Sequence, residues 1–432
     1  MEKYQHRPID LATDAIRLVR LRKGSPEDPI RCDLFDSFLH ESECIPYEAL
    51  SYAWGSISNP EEIVVDGVKT LAITSNLHTA LHYLRLGDQD RILWIDAICI
   101  NQKDMKEKGH QVGQMRSVYE NAEKVLIWLG LGNANVDHVM DLMNRLDKQV
   151  ISLGYNSINS SKSWEMMQNL LLKQYGRTDH DLRRSALRML LEKPWFRRVW
   201  VVQEVASARR AVVVCGWRSV STRTFCLMPF ALEMQIDKRI QAVLEIMPGS
   251  LRGASWWAEK RDLRTILKKF GDSEATDPRD NIYALFGISS NTRDNSILQP
   301  DYDATLKRVI RDTVSFLLFN KILDETYVFP DWNFIDLQFA LDHLDNTVIG
   351  WAIGNNNSLL ARLWYALPKE VDTMPLDHYM SNHVAGEAQV LGIMERGHID
   401  FNIEDLNNKL LRIAVRGDIR QSWTSLWGAQ RI

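Results

Sequence analysis

The chain has 432 residues, with apolar and charged fractions of 45% and 25%, so it can bury a sizeable core and is not a wholly disordered polymer. A net charge of −4 argues against nucleic acid as the main partner, because phosphate binding shows as a basic domain. The five cysteines (Cys32, Cys44, Cys99, Cys215 and Cys226) form no C-x-x-C pair, which disfavours a metal site or disulfide framework and fits reduced thiols in a cytoplasmic setting.

Met1 to Leu11 hold no apolar leader, and no apolar run approaches the ~20 residues of a bilayer span, so neither secretion nor a membrane is expected. Asn159-Ser-Ser and Asn356-Asn-Ser match the glycosylation pattern and, without a leader, count as chance. Ile16 to Leu21, a turn over Gly24 to Pro29 and a second apolar stretch predict a β ribbon within residues 1–45, packed on the core. Tyr47 to Gly55 reads as a strand ending in glycine. Ile63 to Ile73 reads as a hairpin about Asp66-Gly67.

Thr74 or Ser75 can cap a helix from Asn76 to about Leu86, whose apolar Leu77, Ala80, Leu81 and Leu84 fall at helical spacing. Arg91 to Ile98 reads as a buried strand, Asn101 to Asp104 as a polar loop, Lys106 to Asn121 as a helix, and Lys124 to Gly130 as another strand. Residues 131–193 form a helical, mostly polar insertion, with a loop over Asn156 to Ser163. Pro194 to Arg209 opens a helix, Ala211 to Cys215 is a strand, and residues 221–432 are mainly helical.

Alternating strands and helices predict an α/β domain over residues 46–220, with a parallel sheet and helices on both faces. Ligands of such sheets sit outside the carboxyl ends of the strands. Three predicted strands end in chemically loaded residues: Ser51-Tyr-Ala-Trp54, Asp96 and Trp128-Leu-Gly130. No G-x-G-x-x-G, P-loop, H-E-x-x-H or G-x-S-x-G motif occurs, which weighs against dehydrogenase, NTPase, metalloprotease and lipase chemistry.

Several blocks resemble the heterokaryon-incompatibility (HET) family in order and spacing. They are Tyr47 to Gly55, Ile73-Thr-Ser-Asn-Leu77, Leu93-Trp-Ile-Asp-Ala-Ile-Cys-Ile-Asn-Gln102, Gln111 to Gly130, Pro194-Trp-Phe, Arg198-Val-Trp-Val-Val-Gln-Glu204 and Asp277-Pro-Arg-Asp280. A fainter match lies at Phe329-Pro-Asp-Trp332. The resemblance implies fungal self/non-self signalling that ends in growth arrest or cell death. The family core is in turn similar to TIR domains, which implies a TIR-like (flavodoxin-like) fold. Its first strands would be Tyr47 to Gly55, Leu93 to Asp96 and Val125 to Leu129.

The TIR likeness also implies cleavage of NAD, as substrate rather than cofactor, with Glu204 as the catalytic glutamate and a homo-oligomer as the active form. The insertion at 131–193 departs from that pattern and leaves the substrate open. An activating protein partner is a further expectation.

Breaking the nicotinamide–ribose bond passes through an oxocarbenium-like transition state. The pyridinium leaves without a general acid, so one well-placed carboxylate can carry the reaction by stabilising the ribosyl cation. Glu204 takes that role, or else is an ordinary helix glutamate. Asp96 orients ribose or caps its own turn. Asn101 and Gln102 contact substrate or only shape the loop. Ser51, Tyr52, Trp54 and Gly55 line the site, Trp54 stacking on a ring, or form a buried aromatic turn. Arg198, beside Arg197, binds phosphate or an internal acid, and Trp200 lines the site or joins the core with Trp195 and Phe196. Asp277, Arg279 and Asp280 read as a structural knot. A non-enzymatic, self-associating module is the competing function.

Overall fold

The computed structural model describes residues 2–40, 45–56, 58–152, 163–175, 179–292, 297–323 and 332–341. Ten strands make one sheet. They are β1 (Glu2–Lys3), β2 (Ala15–Leu21), β3 (Arg31–Phe38), β4 (Glu48–Tyr52), β5 (Pro60–Val65), β6 (Lys69–Thr74), β7 (Arg91–Trp94), β8 (Val125–Trp128), β9 (Ala211–Cys215) and β10 (Arg218–Ser221). Their spatial order is β1-β6-β5-β3-β2-β7-β4-β8-β9-β10. The fold is α/β, as expected, but the sheet is mixed rather than parallel throughout.

The parallel part is its centre, β7-β4-β8-β9. In chain order these four strands stand second, first, third, fourth, the order with which a flavodoxin-like sheet begins. All four residues of β8 are buried, so both faces of the centre are covered. The N-terminal ribbon β2–β3 extends this sheet: β2 runs antiparallel to β7, with Val19 opposite Leu93.

Local chemistry explains the elements. Asp66 and Gly67 both take positive φ, 48° and 78°, in the three-residue loop that closes the hairpin between Val65 of β5 and Lys69 of β6. The Thr74 hydroxyl accepts from the Leu77 amide at 3.3 Å and caps α1 (Ser75–Leu84). The strand expected through Ile98 stops at Trp94 instead. There the Asp96 carboxylate accepts from the Ala97 amide at 2.7 Å and starts a single turn, α2 (Asp96–Cys99). Apolar run and short turn look alike in sequence; the aspartate breaks the tie. Asp104 caps α3 (Met105–Asn121) by accepting from Lys106 and Glu107 amides.

A buried ion pair ties α3 to the ribbon. Arg17 and Glu107 are 1% and 2% exposed and lie 2.6 Å apart. Arg17 also donates to the carbonyls of Cys99 and Arg7, and Glu107 also accepts from the Asn101 amide.

The insertion is helical among the described residues: α4 (Ala134–Ser152), α5 (Ser163–Tyr175) and α6 (His180–Leu191). It is not merely polar, since α4 buries Val136, Val139, Met140, Leu142, Met143, Leu146 and Val150. Most of the loop expected at Asn156 to Ser163 lies outside the described residues, as do both glycosylation-like motifs.

The helix expected from Pro194 is broken in two. A 3-10 turn, Pro194–Arg197, is followed by an extended Arg198 and then α7 (Trp200–Ser207). A bridge to Glu274 causes the break: Glu274 donates its amide to Arg197 O, and Val199 donates to Glu274 O at 3.0 Å.

The chain divides into two compact units, Met1–Val309 and Ile310–Ile432. The sheet and all helices to Phe286 belong to the first. Residues from 221 onward in that unit are mainly short helices. Described residues of the second unit include helix Phe334–Leu341, with Leu337 and Leu341 buried. Phe329 to Asp331 of the fainter motif, and everything after Leu341, lie outside the described residues.

Candidate functional site

The carboxyl ends of β4 and β7 and the start of α7 bring titratable side chains together. Glu204 on α7 is 2% exposed and Asp96 is 9% exposed. Glu204 Oε2 makes no hydrogen bond. Burial pushes the Glu204 carboxyl up to about 7, against the pull of the nearby Arg198 charge and a Ser51 hydrogen bond, with Asp96 adding to the rise. Asp96 is raised by burial too, opposed by Arg198 and by hydrogen bonds that include Trp54. Tyr52 and Tyr119 are held well above the usual phenol range, mainly by burial, with both carboxylates contributing.

Each member is held in place. Ser51 Oγ accepts from Trp195 Nε1 at 2.8 Å. Arg198, extended where the helix breaks, donates to Tyr52 O, and its guanidinium sits 6.0 Å from the Trp54 ring centroid. Trp54 Nε1 donates to Asp96 Oδ2 at 2.7 Å. Tyr119 of α3 donates to Leu50 O at 3.2 Å. Gly55 follows at φ +76°, and an added Cβ would stand 3.2 Å from Asn76 Cβ, so only glycine fits this bend easily. Asn76 donates to Ala53 O and accepts from Trp128 Nε1 at 3.2 Å, linking the ends of β4 and β8.

This arrangement brings an orphaned carboxyl oxygen, a second carboxylate and a guanidinium under an indole. Once ionised, the Glu204 and Asp96 carboxylates supply negative charge suited to a developing cation, while Arg198 supplies a cation suited to an anionic group.

The chain matches the family model described as "Heterokaryon incompatibility protein (HET)" over residues 47–204. Residues 47–204 thus match the HET domain. The domain begins at Tyr47, just before β4, and ends on Glu204, so it contains every member of the cluster. The chain is 27% identical over 355 residues to "Heterokaryon incompatibility protein 6, OR allele" of Neurospora crassa, covering 70% of this chain and 52% of that protein. It thus spans about half the length of that relative. No solved structure matches the chain significantly.

Within the HET domain, Ser51, Tyr52, Trp54, Asp96, Arg198 and Glu204 converge, with Gly55 at the rim. Three expected residues point elsewhere. The Asn101 side chain accepts from the Lys103 amide at 3.2 Å and shapes its own loop. Gln102 Nε2 donates to Asp96 O at 3.1 Å and braces the turn from behind. Trp200 Nε1 donates to Asp280 Oδ2 at 3.0 Å, joining the structural knot in which Tyr302 donates to Asp280 Oδ1 at 2.7 Å and Arg279 pairs with Asp277 at 2.6 Å.

Sequence reasoning missed Asn76, Tyr119 and the polar use of Trp195. The signal was present in part. All three lie in the family-like blocks, and a buried indole or phenol needs a partner for its N–H or O–H. Among the described residues, no group of three His, Cys, Asp or Glu side chains could hold a metal ion. No described helix is long and apolar enough to cross a membrane.

Proposed function

We propose that the chain is a heterokaryon-incompatibility signalling protein whose HET domain cleaves the nicotinamide–ribose bond of NAD or a related nucleotide. The family match and the relative's name support the signalling role. One observation carries the chemistry: Glu204, buried at the strand ends with a free carboxyl oxygen and a pKa near 7, faces Arg198 and Asp96.

In this reading the Glu204 carboxylate stabilises the ribosyl cation as nicotinamide departs with the bonding electron pair, and water then bonds to the ribosyl carbon and gives up one proton to solvent. Asp96 holds ribose hydroxyls, Arg198 meets phosphate, and Trp54 stacks on the pyridinium ring. Glu204 is only 2% exposed, so turnover in this reading requires the cluster to open to substrate. Because the carboxylate form acts, nicotinamide release is expected to rise with pH through about 7.

The same burial favours a second reading, in which Glu204 is a structural carboxyl of a non-enzymatic, self-associating module. Nicotinamide release from NAD separates the two, measured for wild type and Glu204→Gln across a range of protein concentrations. Release by wild type alone supports the enzyme, and a steep concentration dependence supports an oligomeric site. No release at any concentration from folded protein supports the module.

A further inference from the structure

Trp217 stands in an unusual place. It is the second residue of the two-residue loop between β9 and β10, after Gly216 at φ +54°. A glycine first in such a loop suits a type II′ turn, and the second position is ordinarily polar. Here it holds an indole that is 57% exposed. The turn does not need the ring, and half its surface faces water.

The ring is nonetheless held. Its centroid lies 4.4 Å from that of Tyr83 and 5.8 Å from that of His82, both on α1. Tyr83 in turn lies 5.6 Å from buried Trp128. A run of rings thus leads from an exposed tip to the end of β8, and through Asn76 to the backbone beside Trp54. Beside it Gly216 donates its amide to Gly130 O at 3.0 Å. Gly130, at φ +86°, has no atom within 4 Å of where a Cβ would stand, so the backbone there is open. An anchored aromatic face next to open backbone, at the carboxyl ends of parallel strands, is suited to a flat ring with polar edges.

We infer that Trp217, braced by Tyr83 at an interplanar angle of 48°, forms a stacking platform for the purine base of a nucleotide. The choice of a nucleotide rests on the proposed NAD chemistry; the platform rests on the geometry. AMP is the probe, with ribose 5-phosphate as a control that lacks the base, titrated by calorimetry into the full chain.

Wild type is expected to bind AMP and not ribose 5-phosphate. Trp217→Ala is expected to weaken AMP roughly fivefold or more, and Trp217→Phe to retain most of the affinity. Circular dichroism confirms folding, which an exposed loop substitution should leave intact. Equal binding of the two ligands, no binding of AMP by wild type, or unchanged AMP affinity in Trp217→Ala overturns the platform. Unchanged affinity with an altered oligomeric state by light scattering would assign the ring to a protein contact. NAD cleavage assayed on the same samples keeps the two ideas apart: AMP binding without cleavage leaves the platform standing, and cleavage without AMP binding removes it.

Discussion

Two sets of charges are buried in this protein, and their opposite treatment is instructive. Arg17 and Glu107 form a pair whose partners are nearly complete: two contacts across the pair, carbonyls for the guanidinium and an amide for the carboxylate. The Glu107 carboxyl is held below its usual range, since these bonds outweigh burial. Glu204 is equally buried, yet one of its oxygens has no partner and its carboxyl is raised. Both sites lose solvation. The first recovers most of it, leaving Arg17 Nε unpaired but both Glu107 oxygens bonded, as suits a structural tie, whereas the second leaves a carboxyl oxygen itself without a partner.

The sharpest break of this comparison is Arg17→Met. It leaves the Glu107 carboxylate buried beside an apolar side chain, and urea denaturation should show a loss of about 3–5 kcal/mol. A loss below ~1 kcal/mol would mean the pair is not the tie described. Next in size is a gain. The rise of Glu204 from 4.5 to about 7 means the folded state binds the proton more tightly than the unfolded one. Folding is therefore penalised progressively as pH climbs from 4.5 to about 7, by roughly 3 kcal/mol at full ionisation. Glu204→Gln should remove that penalty, making the variant more stable than wild type at pH ~8 with little difference near pH ~5. A variant less stable than wild type at both would sink the idea.

Glu107 has the reverse sign. Its folded pKa is depressed, so its contribution is present above 4.5 and is lost as pH falls through the folded value. Smaller is Trp54→Phe, which withdraws the 2.7 Å hydrogen bond to buried Asp96. It should cost about 1–3 kcal/mol and push the Asp96 carboxyl higher still, seen by denaturation at pH ~8 and by titration of the carboxyl resonance. Thr74→Ala removes a neutral cap at 3.3 Å and should cost about 1 kcal/mol, setting the scale of an ordinary local contact.

Much of this could be read from residues alone where local chemistry decides. Asp66-Gly67 announces its hairpin, Thr74 its helix, and the Val125–Trp128 run its strand. What escaped depends on distant contacts. The four-residue β10 carries Arg218-Ser-Val-Ser, without an apolar pattern, and exists because β9 offers it an edge. The break at Arg198 comes from Glu274, 76 positions away, and that break aims the guanidinium at Tyr52 O. The resemblance drew attention to Glu204 and Asp96. Their burial, and the turning of Asn101 and Trp200 to other partners, are tertiary facts that no spacing rule encodes.

The helical insertion has a consequence for solubility. A sheet of ten strands ends in two exposed ladders, each a template on which another chain could crystallise as cross-β. One end is only the two-residue β1. At the other, α4 lies along β10: Asn144 donates to Ser219 O at 2.8 Å, and Asp141 stands 2.8 Å from Arg218. By taking up part of that edge, the helix leaves less of the ladder open to pairing with another chain.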